Sequence, residues 1–135
     1  MTAVTVTAAD VRPLPGAVCR NQIAGVVISL GQIVAIDPSS GKLVLAEADD
    51  NAVPVGIVVA IEGEGKTACV AGEACSVLMH GPMTGFSGMT PGAKYYLSDA
   101  DGVLDTATGS AMVVMGVAWS ATILVVQTQL LAHAP

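Results

Sequence analysis

Gly31-Gln-Ile-Val-Ala-Ile-Asp37-Pro-Ser-Ser-Gly41-Lys-Leu43 and Gly92-Ala-Lys-Tyr-Tyr-Leu-Ser98-Asp-Ala-Asp-Gly102-Val-Leu104 are written on one pattern. A Gly opens an extended run, a polar turn follows, a second Gly comes ten positions on, and a Leu comes two after that. The copies lie 61 residues apart, counted from Gly31 to Gly92. Each leads to a similar apolar stretch, Pro54-Val-Gly56-Ile-Val-Val-Ala60 and Val114-Met-Gly116-Val-Ala-Trp-Ser120, now 60 apart from Gly56 to Gly116. β-Branched runs punctuated by Gly, Pro, Asp and Ser are the grammar of short strands and tight turns. The pattern predicts an all-β chain, a small β-barrel or sandwich-like domain. It is built as two related β-halves if the match reflects duplication. Identity between the copies is low, and shared turn chemistry accounts for the match equally well. Gly31, Gly41, Gly56, Gly92, Gly102 and Gly116 are the expected structural turn positions, with Leu43 and Leu104 pointing into a core.

The chain has 135 residues, enough for one real core or two very small ones. Hydrophobic residues are 53% but aromatics only 3%, so Ala and Val must do most of the packing. Charged residues are 12%, about half the usual share, and a surface that poor in charge is expected to be hidden in an assembly. Net charge is −6, with only Arg12, Arg20, Lys42, Lys66 and Lys94 positive. That balance, with few aromatics for stacking, argues against nucleic acid. No apolar run has the length of a membrane span, and the longest, residues 52–61 and 111–119, fit buried strands. The first residues lack the charged start and apolar core of a signal peptide, so a cytoplasmic origin is expected.

Along the chain, residues 1–16 are expected as an extended N-terminal arm. Thr alternates with Val and Ala, and Arg12-Pro-Leu-Pro-Gly16 then acts as a stiff hinge that stays out of any ladder. Such an arm suits addition to a partner's sheet edge. Residues 17–80 are the first β-half. Within it, residues 47–51 are a polar loop and residues 62–65 a turn. Residues 81–91 are a Gly-, Pro- and Met-rich connection, either a contact surface or a crossover tucked onto the core. Residues 92–135 are the second β-half and a tail with no evident role. No helix of any length is expected. The candidate partner-binding residues are Thr2, Val4, Val6, Arg12 and Leu14 on the arm, and Met83, Phe86 and Met89 on the connection.

Catalytic and metal chemistry find little purchase. Cys75, His80 and Asp99 can be written as a triad, but nothing in the sequence brings them together. His80 reads as a loop residue, and His133 lies near the end. Ser98-Asp-Ala-Asp-Gly102 resembles part of a calcium loop whose downstream glutamate is missing, so turn chemistry accounts for it better. Cys19, Cys69 and Cys75 lack paired zinc spacing and are expected as free, buried thiols, although Cys69 and Cys75 flank a turn and could face each other. No enzyme, cofactor or metal is expected.

The order Gln32-Ile-Val-Ala-Ile-Asp37-Pro-Ser-Ser-Gly-Lys42-Leu-Val-Leu-Ala46, an acidic loop, Ala52-Val-Pro-Val-Gly56-Ile-Val-Val-Ala60, then Lys66-Thr-Ala-Cys-Val70 and Gly72 resembles the head-decoration, or capsid cement, proteins of lambda-like tailed bacteriophages. The likeness covers roughly residues 30–80. Residues 92–126 carry a Gly-x-x-Tyr-Tyr-Leu-Ser…Asp-Gly pattern similar to phage head and fibre β-domains. The resemblance implies a small β-rich virion protein without catalytic residues, made in the host cytoplasm and placed on the capsid exterior. It implies a homo-oligomer, a trimer, that bridges major capsid protein subunits, with an N-terminal arm that orders on the capsid. The second half departs from the smallest members. The alternative is a β-domain of a phage fibre or tail protein with a receptor-binding or structural role.

Overall fold

The structure, a computed structural model, describes residues 3–48, 53–61 and 66–132, the last five of these as backbone only. The protein is all-β. Its strands in chain order are β1 (Thr5–Val6), β2 (Arg12–Pro13), β3 (Val18–Ile23), β4 (Ile28–Ser29), β5 (Ile33–Ile36), β6 (Leu43–Leu45) and β7 (Pro54–Ile61). Then come β8 (Ala68–Cys69), β9 (Ala74–Thr84), β10 (Phe86–Ser87), β11 (Lys94–Leu97), β12 (Leu104–Asp105), β13 (Met112–Ala118) and β14 (Ile123–Ala132). A single 3-10 turn at Ala8–Asp10 is the only helical element among the described residues.

The main sheet runs in the order β12-β11-β13-β14-β9-β7-β5-β6. That order is a palindrome of two units, and the units match pair by pair. In the first, Ile33 faces Ile57, Val34 faces Gly56 and Ala35 faces Pro54. In the second, Lys94 faces Val117, Tyr95 faces Gly116 and Tyr96 faces Val114, with the register shift at the same place. The hairpins match as well: Ile36 with Leu43, Leu97 with Leu104. So do the turns. Gln32 N–H donates to Ser29 O and Ala93 N–H to Thr90 O; Gly31 N–H donates to Val58 O and Gly92 N–H to Ala118 O. Gly31, Gly41, Gly92 and Gly102 all have φ between 67° and 90°, which Gly adopts without a Cβ penalty. Leu43 and Leu104 are both buried. The two stretches therefore share one pattern of strand pairing, register and turns.

The repeat is imperfect in one place. Between β13 and β14 the chain turns directly through residues 119–122, whereas between β7 and β9 it makes an excursion that includes β8, paired with β4. β9 is the spine that joins the units. Its residues 75–78 pair with β7 and its residues 80–84 with β14, while β3 and β2 pair along it as well. The ends of the sheet then meet. Gly102 N–H donates to Ala46 O, Ile33 N–H donates to Gly102 O, and Ala48 N–H donates to Ser98 O. The sheet thus curls around one core, in which Ile28, Ile33, Leu43, Ile57, Leu78, Met83, Leu97, Met115 and Leu124 are fully buried.

Two expected boundaries change. The segment expected as a free arm lies on the body. Thr5 and Val6 pair with Ser87 and Phe86, Val4 N–H donates to Leu104 O, and Val11 is buried. Arg12 and Pro13 do face Thr84 and Met83, and Leu14 N–H donates to Pro82 O, so Pro13 of the hinge joins the sheet margin while Pro15 stays in a turn. Likewise residues 81–84 are no connection but the second half of β9. Gly81 and Gly85 make both changes possible. A Cβ on Gly81 would lie 2.7 Å from Ala17 Cα, and one on Gly85 2.7 Å from Val11 Cα.

Candidate partner-binding surface

The clearest irregularity on the surface comes from comparing the units face by face. In the second unit Leu97, Leu104, Met115, Leu124 and Val126 are all buried. Their counterparts in the first unit are Ile36, Leu43, Val55, Val77 and Met79. These line an open groove of about 470 Å³, completed by Arg20, Asn21 and Gln22 of β3. Ile36 and Met79 stay 37% and 38% exposed there, although their residue types would suit a core. Gln22 fixes the rim: its Nε2 donates to Gly41 O at 3.0 Å, and its Oε1 accepts from Ile23 N–H. β3 itself is exposed along nearly its whole length, and among the described residues its ladder is with β9 alone. The groove therefore joins an apolar floor to a strand with hydrogen-bonding capacity along its rim.

A second apolar patch lies at the β13–β14 turn. Trp119 is 76% exposed, against the expected buried strand end, because β13 stops at Ala118. Its N–H donates to Ile123 O, and Ser120 Oγ accepts from Thr122 and Ile123 N–H, which fixes the tight turn that carries the ring outward. Beside it a shallow depression is lined by Leu14, Pro15, Pro82, Ile123 and Val125.

The expected contact residues are scattered by the fold. Val4 and Leu14 are half-buried, Val6 and Arg12 exposed, and all four are folded against the body. Thr2 lies outside the described residues. Met83, Phe86 and Met89, candidates for a contact surface with a core-tucked crossover as the alternative, are buried core side chains, at most 4% exposed. Sequence reading missed Ile36, Val55, Met79 and Trp119 because an apolar residue in an alternating strand reads as core wherever it stands. Gly56 and Gly116 are not turn residues but strand positions. A Cβ on either would collide with a neighbouring carbonyl, Leu78 O or Val125 O.

Asp99 accepts from Ser110 N–H at 2.8 Å and from Ser110 Oγ at 3.1 Å, while His80 is exposed on β9 and Cys75 is buried beside Cys69. Asp105 is buried and accepts from Ala107 N–H and Thr106 Oγ1. Residues 62–65, His133 and most of the acidic loop at 47–51 lie outside the described residues. Cys19, expected to be buried, is exposed on β3. Among the described residues no group of three or more His, Cys, Asp or Glu could hold a metal, and no helix is long and apolar enough to cross a membrane.

Neither known family models nor curated protein sequences contain a match to this chain.

Proposed function

We propose that this protein is a virion structural protein that decorates the outside of a phage capsid and stabilises it by bridging major capsid protein subunits, acting as a homo-oligomer, a trimer. One observation carries the reading: an apolar groove in the first unit stays open where the matching face of the second unit is closed. An apolar floor beside an exposed strand suits an extended segment of another protein, whose backbone pairs with β3 while alternate side chains fill the groove. Low charge and the resemblance of residues 30–80 to capsid cement proteins support the same reading. The contact surface moves from the arm to β3, Ile36, Val55 and Met79, because the arm is engaged in closing its own fold.

The alternative, a domain of a phage fibre or tail protein, draws on Trp119. A lone exposed aromatic on a tight turn is a form that receptor surfaces use. Co-sedimentation with empty expanded capsids tests the first reading. The wild type should pellet with capsids at saturating stoichiometry, and Met79→Asp should reduce occupancy at least tenfold without changing the melting temperature. Equal occupancy by wild type and M79D would move the contact elsewhere. No occupancy by the wild type, with binding to cell-surface glycan that Trp119→Ala abolishes, would favour the alternative.

A further inference from the structure

The excursion that only the first unit possesses brings Cys69 and Cys75 together. Cys69 lies on β8 and Cys75 near the start of β9, joined by a tight turn. Gly72 in that turn has φ 95°, Glu73 N–H donates to Val70 O, and Glu73 Oε1 accepts from Val70 N–H. The turn is thus held from both the main chain and a side chain. Both cysteines are buried, at 0% and 2% exposed, and their sulfurs are 3.0 Å apart. A disulfide needs about 2.05 Å between sulfurs, so closing the bond asks for a movement of roughly 1 Å across a short turn. Cys19 is free and exposed on β3 and has no such neighbour among the described residues.

We propose that Cys69 and Cys75 are an oxidation site, an intramolecular disulfide that fastens β8 to the spine strand β9, formed by exchange with a low-molecular-weight disulfide. The order of events follows from how the two strands are held. β8 has two residues and, among the described residues, pairs with β4 alone, whereas Cys75 has ladder neighbours in both β3 and β7. Opening of β8 therefore exposes Cys69 first. Its thiolate attacks the small disulfide, forming a mixed disulfide at Cys69 and releasing one small thiolate. Cys75 then loses its proton to solvent, and its thiolate attacks the Cys69 sulfur and displaces the second small thiolate. In net terms two protein thiols are oxidised to one disulfide while the small disulfide is reduced to two thiols. Desolvation by burial, and after it the adjacent Cys69 sulfur, pushes the Cys75 thiol up to about 12. Since the thiolate is the attacking species, formation of the bond accelerates as pH rises. Once closed, the bond is buried with both its residues, away from reductant.

The test uses the full chain carrying Cys19→Ser, prepared reduced and incubated with oxidised glutathione. The expected product is lighter by two hydrogens, carries no glutathione adduct and shows no free thiol after denaturation. Its formation rate should rise about tenfold per pH unit, and its melting temperature should exceed that of the reduced form by several degrees. Should the Cys19→Ser change impair folding, the wild type treated alike should retain one thiol equivalent, free or glutathionylated, at Cys19. Persistence of two alkylatable thiols, a stable glutathione adduct on Cys69 or Cys75, or a cross-linked form that melts lower than the reduced one would overturn the proposal. The readout involves no capsid, so it stands or falls separately from the proposed function.

Discussion

The two units share a register but spend their glycines differently. In the first unit Gly31 is covered, since a Cβ there would meet Val6 Cγ2 at 2.5 Å and Val11 Cγ2 at 3.2 Å, while Gly41 has nothing within 4 Å. In the second unit the positions are reversed. Gly92 is open, and a Cβ on Gly102 would meet Leu45 Cδ2 at 3.1 Å and Gln32 Cβ at 3.2 Å. The N-terminal segment and the second unit's turn close over the same end of the first unit, around Gly31 and Gln32, and leave its Gly41 end open. One repeated local sequence thus supplies a solvent turn in one copy and a packing joint in the other. Tertiary position, not turn chemistry, decides which.

The comparison can be broken at several points. The largest effect is expected where the units are alike. Gly56→Ala and Gly116→Ala each force a Cβ into a backbone carbonyl that cannot move without the sheet. Both should lose about 3 kcal/mol or more, at the severe end of single substitutions, measured by urea unfolding. A marked loss at only one of them would deny the equivalence. Deletion of residues 1–12 comes next. It removes the buried Val11 and the half-buried Val4, and uncovers Gly31 and Phe86. At roughly 1.5–3 kcal/mol for a buried Val, stability should fall by at least about 2 kcal/mol, and an unchanged melting temperature would mean the segment is not part of the fold.

A smaller effect separates the units by pH. Only the first unit's strands include buried thiols. The folded Cys75 pKa is raised, so the unfolded chain releases its proton first as pH climbs from about 9 toward about 12. The reduced protein should therefore lose stability as pH rises across that window. Cys75→Ala should flatten the slope, read from unfolding free energies at successive pH values. Least of all, Trp119→Ala should change stability by under about 0.5 kcal/mol, as for other exposed sites. Its counterpart Val59 is buried, and Val59→Ala should cost more than that.

Much of this architecture was legible. The spaced glycines, the Asp37 and Ser98 turns and the apolar runs after them announced strands, turns and a repeat, because each constraint is local. What stayed hidden was non-local. Pro13 and Pro82 argued against strand structure, yet both sit at ladder positions, where Pro82 O accepts from Leu14 N–H. Gly81 and Gly85 read as loop punctuation, but their lack of a Cβ lets the N-terminal segment cross β9 closely. Met83, Phe86 and Met89 read equally as a contact surface or as part of a crossover tucked onto the core, because composition does not reveal which side of a sheet is covered. The groove was invisible for the complementary reason: Ile36 and Leu97 occupy equivalent places in matching hairpins, and the surrounding chain leaves one open and closes the other.

Urea unfolding free energies for four variants, Gly31→Ala, Gly41→Ala, Gly92→Ala and Gly102→Ala, test the repeat and its closure most directly. All four positions have similar positive φ, so each substitution carries the same backbone cost of roughly 1 kcal/mol. Any difference between them reports contact alone. The account predicts a crossed result, in which Gly31→Ala is worse than Gly92→Ala, and Gly102→Ala is worse than Gly41→Ala, each by about 1 kcal/mol or more, the lower range for overpacking. Four equal losses, or greater losses at Gly41 and Gly92, would contradict it.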